Sequence, residues 1–343
     1  MTVAITSTDL RRTFGDNEAV AGVDLAVQPG EIYGFLGPNG AGKSTMVKML
    51  CTLLLPTSGT ATVAGFDVAS QAGEIRLRIG VALQDASLDG KQTGRELLDL
   101  QGRLYGLSKA NITKRMNDVI GLVNIGGAID DRVESYSGGM KRRLDLAMAL
   151  IHKPQVLFLD EPTTGLDPVS RTDVWNEVRA LNDQEGMTIF LTTQYLEEAD
   201  ELADRVGIIA AGRLEAEGTP TALKKAIGTD LIVAKIDGNM DEAAAAVRYV
   251  DGIDSVEIHG DELSVSVSDG AGAISGVAVA LNSSDLRVTS LTLRTPTLDD
   301  VFLDVTGAKL AASHQNSDEH ESGGTDLSTN GPSNNDSSNT ETP

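Results

Sequence analysis

The chain has 343 residues, 41% hydrophobic and only 3% aromatic, with a formal net charge of −22. That is enough for a packed core and more than one domain, built on Leu, Val, Ile and Ala rather than on rings. So acidic a surface argues against a partner held by phosphate neutralisation, as nucleic acid is, and against direct seating on anionic lipid; solubility or tolerance of salt is its simplest role.

Apolar runs such as Val156–Leu159 and Ile274–Leu281 are too short or too interrupted to span a bilayer, which takes about 20 apolar residues. Met1–Leu10 lacks the basic segment and apolar stretch of a secretory signal. Cys51 is the only cysteine, so no intrachain disulfide forms and a reducing cytoplasm is expected. Its place in an apolar helical stretch predicts a buried, inert thiol.

In chain order, residues 1–228 alternate β-branched runs with helical patterns and predict an α/β domain. A strand over Glu31–Leu36 leads into Gly37-Pro38-Asn39-Gly40-Ala41-Gly42-Lys43-Ser44, which fits G-x-x-x-x-G-K-[ST]. A helix follows, with Val47, Leu50, Cys51 and Leu54 on one face. Strand, glycine-rich loop and helix in that order cradle phosphate with backbone N–H groups and the positive end of the helix dipole. Lys43 would reach the β- and γ-phosphates of ATP, Ser44 would ligate Mg²⁺, and Thr45 would bond the α-phosphate. Strands are predicted over Ile79–Leu83 and Val156–Leu159, and an inserted helical block (about 86–151) lies between them, with helices over Arg95–Tyr105, Thr113–Val123 and Met140–Ile151. The second strand ends in Asp160-Glu161, beyond the strand carboxyl end where ligands of such sheets bind. Asp160 would hold Mg²⁺ directly or through water, and Glu161 would act as general base on the attacking water. These motifs predict a P-loop nucleotidase, a class that kinases, GTPases and helicases share.

Tyr136-Ser137-Gly138-Gly139-Met140 opens a helix shortly before the acidic strand. Here the sequence resembles the ABC ATPases, whose signature is written LSGGQ; Tyr136 and Met140 depart from it, while Ser-Gly-Gly is intact. The resemblance implies that Ser137, Gly138 and Gly139 approach a phosphate, that Gln84 is the Q-loop glutamine and a Mg²⁺ ligand, and that Gly165-Leu166-Asp167 is the D-loop, with Asp167 at the nucleotide. It also gives Phe14 as an adenine-stacking ring, although a loop anchor packed in the core would look the same. In Thr192-Thr193-Gln194-Tyr195 the family's switch histidine is replaced by Gln194, and none of His152, His259, His314 or His320 stands at that position. Gln194 can donate a neutral hydrogen bond to the γ-phosphate but carries no charge. The stretches from Tyr136 to Asp145, from Thr192 to Asp200 and from Leu298 to Leu303 narrow the resemblance to the daunorubicin-resistance type of exporter ATPase over residues 3–307. The resemblance implies two such subunits packed head to tail around ATP, and an ABC-2-type membrane-spanning permease on whose cytoplasmic face they sit, exporting a drug, lipid or similar hydrophobic molecule. The competing expectation is a non-transport ABC ATPase acting as a nucleotide-dependent regulator.

Residues 229–309 predict a second, α+β unit in the order β-α-β-β-α-β, the ferredoxin-like pattern. Its elements are Leu231–Ile236, Asp241–Val250, Ser255–His259, Leu263–Val267, Ala273–Leu281 and Arg287–Leu293. A last helix follows a Thr297–Asp300 capping box, with Leu298, Val301, Phe302 and Val305 on one face. Residues 310–343 are acidic and polar, with no Lys or Arg, and are expected to be disordered.

Overall fold

The computed structural model describes residues 3–83, 88–123, 125–283 and 286–307. Gln84 and the tail at 310–343 lie outside the described residues. Three sheets organise the chain. The central one has six strands in the order Arg213–Gly218, Arg205–Ala210, Ile32–Leu36, Thr188–Thr193, Val156–Asp160, Ile79–Ala82. All neighbours are parallel except the first pair. Every residue of Ile32–Leu36, Val156–Asp160 and Thr188–Thr193 is buried, as continuous apolar runs covered on both faces should be. An antiparallel sheet of Asn17–Val27, Ile5–Phe14, Ser58–Val63 and Phe66–Asp67 lies over one side.

Few as the rings are, four of them meet at one point. Phe190 lies 5.6 Å from Tyr33, 5.5 Å from Phe35 and 5.7 Å from Phe158, in one core with Met46, Val47 and Leu50. Fully burying each such side chain stabilises by about 1.5–3 kcal/mol. The packing fixes the helix Lys43–Leu50 against the sheet and so fixes the loop before it. Thr52 in the left-handed region (φ 60°) ends that apolar stretch. Cys51 is buried as expected, and burial pushes its thiol well above its ordinary range.

The inserted helices are Gly94–Leu104, Lys109–Leu122 and Gly138–Leu150. The second starts four residues before its predicted boundary because Ser108 caps it, accepting from the Asn111 N–H. The block is pinned to the sheet by a flat stack: the Tyr105 and His152 rings lie 3.7 Å apart and 2° from parallel. His152 Nε2 sits 2.9 Å from the Ile79 carbonyl oxygen, so a neutral ring donates there. Buried Nδ1 has no hydrogen-bond partner among the described residues. Desolvation, aided by the charge of Arg115 and opposed by the Ile79 bond, lowers this imidazole to about 4 from 6.5. A depressed folded value gives stability that is complete above pH 6.5 and is lost as pH falls towards 4. Denaturant midpoints at pH 7.5 and 5.5 should therefore differ more in the native chain than in His152→Gln. The difference should be no more than about 1 kcal/mol once solvent screening is allowed for; equal shifts in the two would contradict this.

The third sheet is antiparallel in the order Ile253–His259, Glu262–Val267, Asp230–Asp237, Arg287–Arg294, the ferredoxin-like arrangement. Helices Met240–Val247 and Gly270–Ser283 cover one face. The helical segment 298–307 packs elsewhere: Leu298 and Val301 join Leu36, Ala199, Ala203, Val206 and Leu223 in a core on the first sheet. Its cap forms, with the Asp300 N–H donating to Thr297 Oγ1 and Thr297 N–H donating to Asp300. Among the described residues, no helix is long and apolar enough to cross a membrane.

Candidate functional site

The loop after Ile32–Leu36 passes too close to the chain's own backbone for side chains at two of its glycines. A Cβ at Gly37 would stand 2.4 Å from the Ile209 carbonyl oxygen, and one at Gly42 would stand 2.3 Å from that of Ala19. Gly42 also has φ 108°, which an L side chain rarely adopts. The helix at Lys43 has no side-chain cap, so its first N–H groups are left to a ligand. The loop opens into a cleft of about 610 Å³ lined by Asn39, Gly40, Gly42, Lys43, Ser44 and Thr45, with Phe14, Asn17, Ala19, Glu161, Thr164 and Gln194 completing the wall.

Lys43 is only 4% exposed. Its Nζ donates to the carbonyls of Gly37 (2.8 Å) and Pro38 (3.2 Å) and lies 3.3 Å from Glu161 Oε1. Glu161 is also buried and has φ 48°, unusual for a residue with a side chain. The turn is held because its N–H donates to both the carbonyl and the Oγ1 of Thr192. Thr164 Oγ1 donates to Glu161 Oε2 at 3.3 Å. Ser44 Oγ donates to Asp160 Oδ1 at 3.2 Å, and Thr192 Oγ1 donates to the same oxygen. A hydroxyl and a carboxylate oxygen side by side are a donor set suited to a hard dication such as Mg²⁺.

Phe14 is 46% exposed, with the Arg12 guanidinium 4.5 Å over its ring. It lines the cleft and is not packed in the core. Gln194 also lines it, just after the end of Thr188–Thr193.

Ser137, Gly138, Gly139 and Asp167 do not line this cleft. Ser137 is the exposed cap of Gly138–Leu150, accepting from the Met140 N–H at 3.2 Å. Gly138 lines a second, smaller hollow with Lys141, Arg142, Gly165 and Leu166, which shares Glu161 and Thr164 with the first. Tyr136, the departure at the signature's first position, is buried and its hydroxyl donates to the Ala128 carbonyl. Asp167 caps the helix Pro168–Glu185; hydrogen bonds from Ser170 and Val169 hold its carboxyl below the usual range.

Sequence reasoning missed Asn17, Ala19, Thr164, Thr192 and Arg142. Arg142 Nη1 donates to the Leu83 carbonyl at 2.7 Å, and Nη2 reaches the Asp160 carbonyl at 3.5 Å, tying the helix after the signature to both neighbouring strands. Burial raises its partner Asp145 to about 6 despite the nearby guanidinium. The Lys-Arg-Arg run at Lys141–Arg143 was the available signal, but a basic run does not reveal which member turns inward.

Residues 20–164 match the ABC transporter family, and residues 218–306 match the C-terminal domain of DrrA1-3-like ATP-binding proteins. The daunorubicin resistance ATP-binding protein DrrA3 of Streptomyces coeruleorubidus is 46% identical over 305 residues, covering 89% of this chain and 96% of that protein. The chain belongs to the ABC transporter ATP-binding proteins. The daunorubicin/doxorubicin resistance ATP-binding protein DrrA of Streptomyces peucetius is 45% identical over 310 residues, covering 89% of this chain and 93% of that one. A solved ATP-binding subunit of an ABC transporter superposes with a TM-score of 0.59 at 26% identity, covering 66% of this chain and 93% of that one. The chain is accordingly an ATP-hydrolysing ABC ATPase.

Proposed function

We propose that this chain powers export of a drug, lipid or related hydrophobic molecule through a separate ABC-2-type permease, seated at that permease's cytoplasmic face. Its relatives' names, daunorubicin and doxorubicin resistance, support that direction and cargo class. In this reading residues 1–228 form the ATP-binding domain, with its helical insertion at about 86–151, and residues 229–309 a C-terminal unit.

The reading of the chemistry is carried by Lys43, Ser44, Glu161 and Gln194 facing one cleft. Lys43 pairs with the β- and γ-phosphates, and Phe14 stacks on adenine. Ser44 and Asp160, with Gln84, would hold Mg²⁺, which when bound spreads the charge on the phosphate oxygens. Glu161 takes a proton from water as the water oxygen bonds to the γ-phosphorus. The bond from that phosphorus to the bridging oxygen breaks, and ADP leaves with the electron pair. Gln194 donates its amide N–H to a γ-phosphate oxygen. Ser137, Gly138, Gly139 and Asp167 serve the site of a second copy, packed head to tail.

The test is co-expression with a candidate ABC-2-type permease of about six membrane spans. The pair should lower cellular accumulation of a fluorescent anthracycline several-fold, and the pair carrying Lys43→Ala should not. An ATPase that neither co-purifies with that protein nor responds to it would favour the regulator instead.

A further inference from the structure

Two helices behind the ATP cleft are clipped together by three side-chain pairs. Pro168–Glu185 begins at the Asp167 cap, and Leu196–Leu202 begins just after Gln194. The Arg171 guanidinium lies 4.6 Å over the Tyr195 ring, Trp175 Nε1 donates to Glu198 Oε1 at 3.0 Å, and Arg179 Nη2 pairs with Glu201 at 3.2 Å. Residues 171, 175 and 179 recur every fourth position along one side of their helix, and they meet Tyr195, the extended cap of the second helix, and Glu198 and Glu201 within it. The middle rung is buried: Glu198 is 0% exposed. The same Oε1 accepts from Thr163 Oγ1 at 2.9 Å, two residues after Glu161. Burial pushes the Glu198 carboxyl up, opposed by hydrogen bonds from Thr193, Thr163 and Trp175 and by the charge of Arg171. A buried carboxylate is costly unless bonded; here Oε1 is bonded to the Glu161 loop through Thr163 and to the helix after Asp167 through Trp175, while the buried Oε2 has no hydrogen-bond partner among the described residues.

We propose that Glu198 is a positioning residue for ATP hydrolysis, holding Gln194 and Glu161 in register with each other and with the Asp167 helix through this ladder. The inference rests on the roles given above to Gln194 and Glu161. Trp175 is the only tryptophan, so its emission reports on the middle rung alone.

The experiment measures kcat, KM, melting temperature and tryptophan emission on the full chain. In the native protein a non-hydrolysable ATP analogue should change Trp175 emission, and ADP should not. Glu198→Ala should lower kcat ten-fold or more with KM within three-fold, and should lose the analogue's emission change. Glu198→Gln, whose amide oxygen still accepts from Thr163 and Trp175, should recover at least half of kcat. If Glu198→Ala fails to fold, Thr163→Val decides: it removes one donor to Glu198 at constant shape and should lower kcat about five-fold at unchanged KM. Native kcat in both Glu198→Ala and Thr163→Val, or kcat and KM declining together with melting temperature, would overturn the proposal. Native turnover in Gln194→Ala or Glu161→Gln would instead strike the roles on which it rests.

Discussion

Glu161→Gln should bind ATP at least as tightly as the native chain and hydrolyse it about 10²- to 10⁴-fold more slowly, the range that a general base supplies. Two features make this substitution clean. The amide has the carboxylate's shape, so the turn at φ 48° is unchanged. The Glu161 N–H bonds to Thr192 do not involve the side chain. What is lost is the proton acceptor and the charge that faces Lys43 at 3.3 Å. Without nucleotide, that carboxylate competes with the phosphates for the ammonium group. Removing the competitor favours phosphate, while the Lys43 bonds to Gly37 and Pro38 keep the ammonium in place. Equilibrium binding and steady-state phosphate release measure the two effects separately. Turnover within five-fold of native would remove Glu161 as base.

Lys43→Ala and Ser137→Arg subunits, each inactive alone, should regain activity when mixed. Lys43 lines the cleft and Ser137 does not, although Ser137 and Gly138 are exposed at the tip of a helix. In a head-to-tail pair, one site of the mixed dimer carries both lesions. The other joins the intact phosphate loop of the Ser137→Arg chain to the intact signature of the Lys43→Ala chain. Random pairing makes half of the dimers mixed with one good site each, so activity should return to about a quarter of native. Activity measured against mixing ratio, with the membrane partner present, should peak near equal amounts. A flat line at the level of the single variants would mean that each chain completes its own site.

The sequence pattern made the phosphate loop legible because that loop needs a strand before it, a helix after it and glycines where other residues clash. The Gly37 and Gly42 approaches to Ile209 and Ala19 are that requirement in atoms. The acidic strand end was legible for a similar reason, since five consecutive buried residues leave few ways to end a strand. Pattern alone fails where a face needs a named partner. The stripe Leu298, Val301, Phe302 and Val305 announced a buried side, but nothing in it specified Leu36, Ala199 and Leu223 as the surface it meets. The four-ring cluster around Phe190 was equally hidden, because its members come from three separate strands. Asn17 and Ala19 reach the cleft only through the packing of one sheet on another. The ladder was missed because Arg171, Trp175 and Arg179 read as an ordinary half-exposed helix side until Tyr195, Glu198 and Glu201 stand opposite.

The left-handed backbone at Glu161 sets folding and turnover against each other at a single position. A side chain in that region costs about 1–2 kcal/mol, a cost that glycine would not carry. Its carboxylate is buried as well, but Lys43 and Thr164 partner it there, so the cost lies in the backbone. A library at position 161 sorted for thermal endurance alone would drift towards glycine and lose the proposed proton acceptor. The same library sorted for growth under drug would keep the less comfortable residue, so the two sortings would separate foldability from work at one codon.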